Sequence, residues 1–435
     1  MKGQAPRLTR PAVRLAVRID EVAPRGDGVA HVVVSGERRA VFVPQTAVGD
    51  ELEVSVDLSS RPARGAVLKL LSPGPERVAP PCAFVEACRA CDWMHLSEAA
   101  QSETRAEHLR KVLPESFRSA PVTLHPAQDP LRYRTRARVH VRATRGRVLV
   151  GFHAAGTHDV IPVTACIILH PALDHARAQI GALLEGAHGH GEAHLALGTD
   201  GKPVLELRWQ GAMPARAFGK LDDAVTSGAF AGAAVYLGEV TRPAILGDPR
   251  PRMTGADGEP LVLASGGFAQ ASEAGNLLLG QRVRALAGVL MAGGSDVLEL
   301  YAGAGNFTVL LARDFGRVIA VESSPVACAA ARDNLAARGL KARVTEANAE
   351  TFALPRAIDL VVLDPPRTGA RQVCTALAAS TAKAVLYVSC DTSTLGRDLG
   401  IVADRFTAVA IESLAMFPQT SHAETLVALA RKPRP

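Results

Sequence analysis

The chain has 435 residues, 48% hydrophobic and 21% charged, which is the composition of folded globular domains and excludes a disordered chain; this length predicts two or three of them. A net charge of +6 suits a polyanionic partner, and no apolar run reaches the length of a membrane span. Seven cysteines without an apolar leader predict a reducing, cytoplasmic setting, where grouped thiols bind metal or do chemistry more often than they pair.

The N-terminus, MKGQAPRLTRPAVRLAVRID, is basic but lacks the apolar segment of a secretory signal. Residues 12–71 then alternate apolar and polar positions in VRLAVRI, GVAHVVV, RAVFVP, ELEVSV and GAVLKLL, with turns at RGDG and SGE. Short strands so spaced predict a small β-barrel domain over 1–71. LSPGPERVAPP, 71–81, reads as a Pro-rich linker. A central α+β region over 82–265 opens with Cys82, Cys88 and Cys91. A helix over 97–113 follows, capped by Ser97, and then strands such as RARVHVRA and RVLVGFH. Arg132, Arg134, Arg136 and Arg138 would share one strand face, where a row of like charges calls for phosphate opposite or remains a solvated face.

From 266 to 435 apolar runs alternate with Ala-rich helical stretches, which predicts an α/β domain with a mostly parallel sheet covered on both faces. LELYAGAGNFT, 298–308, is a strand, a G-x-G turn and a helix start. Thr308 stands where a dinucleotide fingerprint has its third glycine, so a pyrophosphate site is disfavoured. Glu322 ends the next strand and could accept from both ribose hydroxyls of an adenosine ligand. The ordered set of acidic strand-end, G-x-G and second acidic strand-end is what an S-adenosylmethionine site requires. DLVVLDPPRTG brings Asp364 to the same sheet edge, where two prolines force the chain out of the sheet.

AVLYVSC ends on Cys390 at that edge. A strand-end cysteine can be packing. Beside a methyl donor, a thiolate could instead add to C6 of a uracil and make C5 nucleophilic. A base must then remove the C5 proton, and His422 or Glu424, in the loop entering the last strand, could do so.

GFAQASEAGN, LELYAGAGNFT, VIAVESS, LDPPRTG, YVSCDTSTLGRDL and FPQTSHAETLVAL resemble, in their order, the RNA uracil-5-methyltransferases that use S-adenosylmethionine. The resemblance covers the whole C-terminal domain. It implies a Rossmann-like class I methyltransferase domain, with Cys390 as nucleophile and Glu424 as proton acceptor. It places Gln270, Tyr301, Asn306, Glu322, Asn348 and Asp364 around the cofactor, and Arg367 near the RNA or a neighbouring carboxylate. The N-terminal barrel is similar to the TRAM module, an RNA-binding fold of the OB-like kind. Asp391 and Thr392 depart from the family's Asn-Pro after the nucleophile, and a carboxylate there would raise the thiol's pKa unless paired. Ala302, Ser272 and Asn348 are further departures.

C-x5-C-x2-C in CAFVEACRAC, with Cys166 as a distant fourth thiolate, suits a [4Fe-4S] cluster or tetrahedral zinc, and spacing alone does not separate them. The resemblance favours the [4Fe-4S] cluster. Cys328 and Cys374 fall in helical stretches and read as packing. The expectation is a monomeric cytoplasmic enzyme acting on RNA, with large-subunit rRNA ahead of tRNA and no membrane. The alternatives are methylation of an exocyclic amine, disfavoured by Arg367 where a stacking aromatic would stand, and a non-catalytic RNA-binding iron–sulfur protein on the same scaffold.

Overall fold

A computed structural model describes residues 13–34, 36–144, 146–154, 157–291 and 295–433. The basic segment 1–12 and Ser35 of the SGE turn lie outside the described residues. The chain forms two compact units, one running up to His108 and including Gln419–His422, the other comprising Leu109–Pro418 and the residues from Ala423 onward.

In the first unit Val13–Arg18, Glu21–Val22, Gly28–Val34, Glu37–Val43, Glu51–Asp57 and Ala63–Ser72 make a six-stranded sheet. Val13–Arg18 pairs with Glu51–Asp57, while Glu21–Val22, only two residues further on, pairs with Gly28–Val34 at the other end of the strand order. The sheet therefore closes on itself. Alternation along ELEVSVD turns Leu52, Val54 and Val56 inward, where they pack with Val17, Val41 and Val43.

The predicted linker is not a loose one. The buried Asp50 carboxylate accepts from the backbone N–H of Ala47 at 2.7 Å and of Gly74 at 2.8 Å, and from Arg77 Nη2 at 2.6 Å. Burial pushes its pKa up, but Arg77 and the two N–H groups outweigh that and hold it below the usual value. The helix Glu98–Val112 starts as the sequence predicts, with the Ala100 N–H donating to Ser97 Oγ at 3.1 Å.

The second unit holds two large sheets. In one, the strand order is Val160–Pro162, Arg147–His153, Arg136–Thr144, His188–Leu197, Pro203–Ala212, Gly232–Leu237 and Ala244–Gly247. The helices Pro171–Leu183 and Ala215–Thr226 cover one face, over Val139, Val141, Leu195, Leu207 and Trp209. The expected four-arginine stripe is shorter than its spacing suggests. The strand begins only at Arg136, Arg132 precedes it in a left-handed conformation (φ 57°), and Arg136 Nη1 is spent on the Ala269 carbonyl at 2.7 Å.

The other sheet has eight strands in the order Arg343–Glu346, Arg317–Glu322, Asp296–Leu300, Leu360–Leu363, Ala384–Ser389, Glu424–Arg431, Phe406–Leu414 and Val122–His125. The first five run parallel and Glu424–Arg431 is antiparallel to both its neighbours. Leu298, Leu300, Val361, Leu363, Val385 and Tyr387 pack on one face, and Val297, Leu360, Val362, Leu386 and Val388 on the other. Burial on both faces is why these strands read as continuous apolar runs. The edge strand Val122–His125 comes from the stretch the sequence assigned to the central region, and it runs parallel to Phe406–Leu414. It lies beside a buried ion pair in which Arg282 grips Glu412 at 2.6 Å and His125 Nε2 meets the same carboxylate at 2.9 Å.

Candidate active site

The register of the eight-stranded sheet gathers the predicted residues at one edge. Leu300 is level with Val321 and with Leu363, and Leu363 is level with Tyr387, so Tyr301, Glu322, Asp364 and Cys390 all emerge at the carboxyl end of the parallel strands. Thr425 pairs with Ser389 across the antiparallel junction, which starts Glu424 beside Cys390. Asn348 follows the end of the first strand in the order, and Gln270 is buried in the approach to the helix Glu273–Leu290.

Electrostatics ties three of these groups together. Burial pushes the Cys390 thiol up to about 11, the Glu424 and Asp364 carboxylates add to the rise, and Arg367 opposes it. Burial and the Asp364 charge hold Glu424 well above the carboxylate range. Burial raises Asp364 to about 7. Two acids that share a low-dielectric recess each favour the other's protonated form. The Asp391 carboxylate caps the helix Thr392–Val402, accepting from the Thr394 N–H at 2.8 Å, so the acid next to the nucleophile is paired. The same helix start places its positive dipole end close to Cys390. Ser272, the other polar departure, likewise caps a helix, accepting from the Gly275 N–H at 3.0 Å.

The Gly-rich turn has the form a nucleoside ligand needs. Gly303 takes φ 56° and a Cβ there would meet nothing within 4 Å, so the space above the turn is open. Glu322 accepts from the Gly303 N–H at 3.0 Å and the Ser324 N–H at 2.8 Å, which fixes its carboxylate at the turn. Tyr301 holds φ 65°, a costly conformation for a non-glycine residue and one that concentrates at functional sites. Its hydroxyl donates to Glu350 Oε1 at 2.6 Å, and Asn348 Oδ1 accepts from the Glu350 N–H at 2.9 Å. Asn306 turns toward protein, exchanging amide hydrogen bonds with Asn276 at 2.7 and 3.2 Å.

Sequence reasoning passed over Glu350 and Asp398, and counted Glu299 only as the acidic strand-end before the G-x-G turn. Glu299 is buried, accepts from Thr308 Oγ1 at 2.6 Å and is raised to about 8 by burial, with Asp364 and Glu322 adding to the rise. Its place before the G-x-G turn was the available signal. Asp398 accepts from the Ala370 N–H and the Tyr387 hydroxyl, both at 2.7 Å, and from Arg397 Nε at 2.8 Å. Thr394 Oγ1 reaches the Arg367 carbonyl at 3.2 Å and Arg397 Nη2 the Thr368 carbonyl at 2.9 Å. The loop after Asp364 is thus fastened to the helix after Cys390.

The remaining cysteines divide by burial. Cys328 and Cys374 are buried, in agreement with a packing role, whereas Cys82, Cys88, Cys91 and Cys166 are half-buried. The first three lie around the short helix Val85–Cys88 of the first unit, and Cys166 belongs to the second. Burial raises the Cys166 thiol, while the backbone N–H groups of Ile168 and Leu169 oppose that rise, as donors to a thiolate would. Among the described residues no group of three or more His, Cys, Asp or Glu side chains is gathered to hold a metal ion.

A family model described as tRNA (Uracil-5-)-methyltransferase matches residues 280–432. The chain is 32% identical to the 23S rRNA (uracil(1939)-C(5))-methyltransferase RlmD of Chromohalobacter salexigens, with 95% of this chain and 88% of that protein covered. It is 33% identical to the enzyme of the same name from Halomonas elongata, covering 94% and 88%. The crystal structure of Pyrococcus abyssi tRNA (uracil-54, C5)-methyltransferase in complex with S-adenosyl-L-homocysteine shares the fold, with a TM-score of 0.75 at 20% identity over 96% of this chain and 100% of that one. With the strand-end cysteine, the facing glutamate and the open Gly-rich turn in place, these likenesses establish that the chain belongs to the RNA uracil-C5-methyltransferase family.

Proposed function

We propose that the protein methylates C5 of a uridine in large-subunit rRNA through a transient bond between Cys390 and the base. The observation that carries this reading is the pairing of Ser389 with Thr425, which sets the Cys390 thiol and the Glu424 carboxyl side by side within one electrostatic field. S-adenosylmethionine supplies the methyl group on a positively charged sulfur. Cys390 Sγ, as thiolate, bonds to C6 and the C5=C6 pair moves onto C5 and the adjoining carbonyl. C5 then takes the methyl, and the donor's carbon–sulfur bond breaks to leave a neutral thioether. Glu424, as carboxylate, removes the C5 proton; the double bond re-forms and the thiolate leaves. A carboxylate with raised proton affinity is a stronger base for that last step. Arg367 offsets the two nearby acids when the thiolate forms.

Glu322 and the turn at Gly303 would hold the ribose, with Gln270, Tyr301, Asn306, Asn348 and Asp364 completing the cofactor's surroundings. The open space at Gly303 and the fixed Glu322 carboxylate support this assignment. The names of the relatives favour rRNA over the tRNA named for the solved neighbour. The closed N-terminal sheet is read as a TRAM-like RNA-binding module of a monomeric, cytoplasmic enzyme; among the described residues no helix is long and apolar enough to cross a membrane. The division into 1–71, 82–265 and 266–435 is kept as a functional one. Cys82, Cys88, Cys91 and Cys166 are proposed as [4Fe-4S] ligands on their spacing, their partial exposure and the family resemblance. No step of the methyl transfer runs through that cluster.

Labelled methyl transfer to unmodified 23S rRNA tests the reading. Cys390→Ala is expected to lose all product, and Glu424→Gln to accumulate a protein–RNA adduct that survives denaturing gels. Normal turnover by both variants would defeat the mechanism.

A further inference from the structure

Glu424 is the first residue of its strand, level with Leu414, so it stands at the end of the connection 415–423. That connection changes company on the way. Gln419–His422 belong to the first unit, and the chain rejoins the second at Ala423, directly before Glu424. The methyl-transfer chemistry itself uses none of the residues that hold this stretch.

Within the first unit the stretch is gripped along its backbone by the helix Glu98–Val112 and the turn before it. Gln419 takes φ 69°, a left-handed conformation that a residue with a side chain keeps only where its surroundings fix it. The Gln101 amide does so: its Oε1 accepts from the Gln419 N–H at 2.9 Å, and its Nε2 donates to Gln419 Oε1 at 3.1 Å. The Gln419 carbonyl accepts from the Trp93 N–H at 3.1 Å. One turn along the helix from Gln101, and on the same face, stands Arg105. It donates from Nη2 to the Thr420 carbonyl at 2.9 Å and from Nε to the His422 carbonyl at 3.2 Å, and its guanidinium lies 5.2 Å over the Trp93 ring. Asp92 Oδ1 accepts from the Ser421 N–H at 2.8 Å. Gln101 and Arg105 are only 2% and 3% exposed, so breaking these bonds leaves buried polar groups unpaired. The planar guanidinium spans two carbonyls at once, which a point-like ammonium does less well.

We propose that Arg105 and Gln101 are positioning residues for removal of the C5 proton: they fix Gln419–His422 and, through that stretch, the place of the Glu424 carboxyl. The proposal rests on the reading of Glu424 as the base. In that step the C5 proton passes to the Glu424 carboxylate, the C5–H electron pair re-forms the C5=C6 bond, and the C6–S pair leaves on Cys390 Sγ. Attack by Cys390 and methyl transfer come earlier. A released loop therefore lets the methylated adduct form and slows only its breakdown.

The test follows methylation of an unmodified 23S rRNA transcript by the full-length protein. Arg105→Ala is expected to lower kcat about 100-fold, the scale of a misplacement of about 1 Å, with the KM for S-adenosylmethionine unchanged. It should also accumulate a methyl-labelled protein–RNA adduct that survives denaturing gels. With deuterium at uridine C5, its isotope effect on kcat should exceed that of wild type. Arg105→Lys should recover part of the turnover and shed part of the adduct. Melting temperatures report folding, and Gln101→Ala, expected to act in the same direction, serves where Arg105→Ala does not fold. Unchanged kcat overturns the proposal. So does a fall in kcat with no adduct and a wild-type isotope effect, the mark of general loosening. Glu424→Gln is followed in parallel. Absence of adduct there defeats the parent reading, whereas adduct there but not in the Arg105 and Gln101 variants defeats the present proposal alone.

Discussion

At the scale of the residue, Cys390 looks poorly suited to attack in the protein alone, because burial and two carboxylates hold its thiol up to about 11. The same groups make its ionisation sensitive to every charge nearby. Glu424→Gln removes one of the raising charges, so the midpoint for alkylation of Cys390 by iodoacetamide is expected at lower pH than in wild type. Arg367→Ala removes the opposing cation and should move it higher. Rates measured against pH for the three proteins check both signs, and a midpoint indifferent to both would separate the thiol from these charges. The cysteine's place at a strand end was legible in AVLYVSC. Its charge environment was not, since Asp391, the nearest acid in sequence, is spent on a helix cap while Glu424, 34 positions later, acts on it.

At the scale of the element, Asp398 shows how loops that carry chemistry are held. One fully buried carboxylate joins the Ala384–Ser389 strand through Tyr387, the loop after Asp364 through Ala370, and its own helix through Arg397. Removing one side of a buried, hydrogen-bonded ion pair costs about 3–5 kcal/mol. Asp398→Ala is therefore expected to lose stability on that scale in urea unfolding and to lower kcat, because the loop bearing Arg367 is released from the helix after Cys390. Tyr387→Phe deletes one neutral donor and should cost only about 1 kcal/mol. Equal stability of the two variants would show that Asp398 does not anchor the loop. The strands themselves were readable, because burial on one face leaves a period of two and burial on both leaves an unbroken apolar run. The Arg-Asp pair in TLGRDL gave no such sign, since its partners Tyr387 and Ala370 are local to it only in space.

At the scale of the whole molecule, Cys82, Cys88, Cys91 and Cys166, all half-buried, separate from the buried Cys328 and Cys374, and metal content is the quantity to measure. Protein purified without oxygen is expected to carry about four iron and four sulfide per chain, as a cubane cluster requires, with the visible absorption of such a cluster. Cys88→Ser should lose both. Stoichiometric zinc without sulfide would replace the iron–sulfur reading. The sequence by itself determined the small closed sheet at the start, the parallel α/β sheet at the end, the Gly-rich turn and the candidate nucleophile, because hydrophobic period, glycine and strand ends are local properties of the chain. Only the tertiary structure decided that Glu424–Arg431 inserts antiparallel beside Cys390 and that Val122–His125 extends the same sheet. Those outcomes depend on which strands pair and in what register, and pairing between distant segments is settled by long-range hydrogen bonds and packing that no short stretch of sequence records.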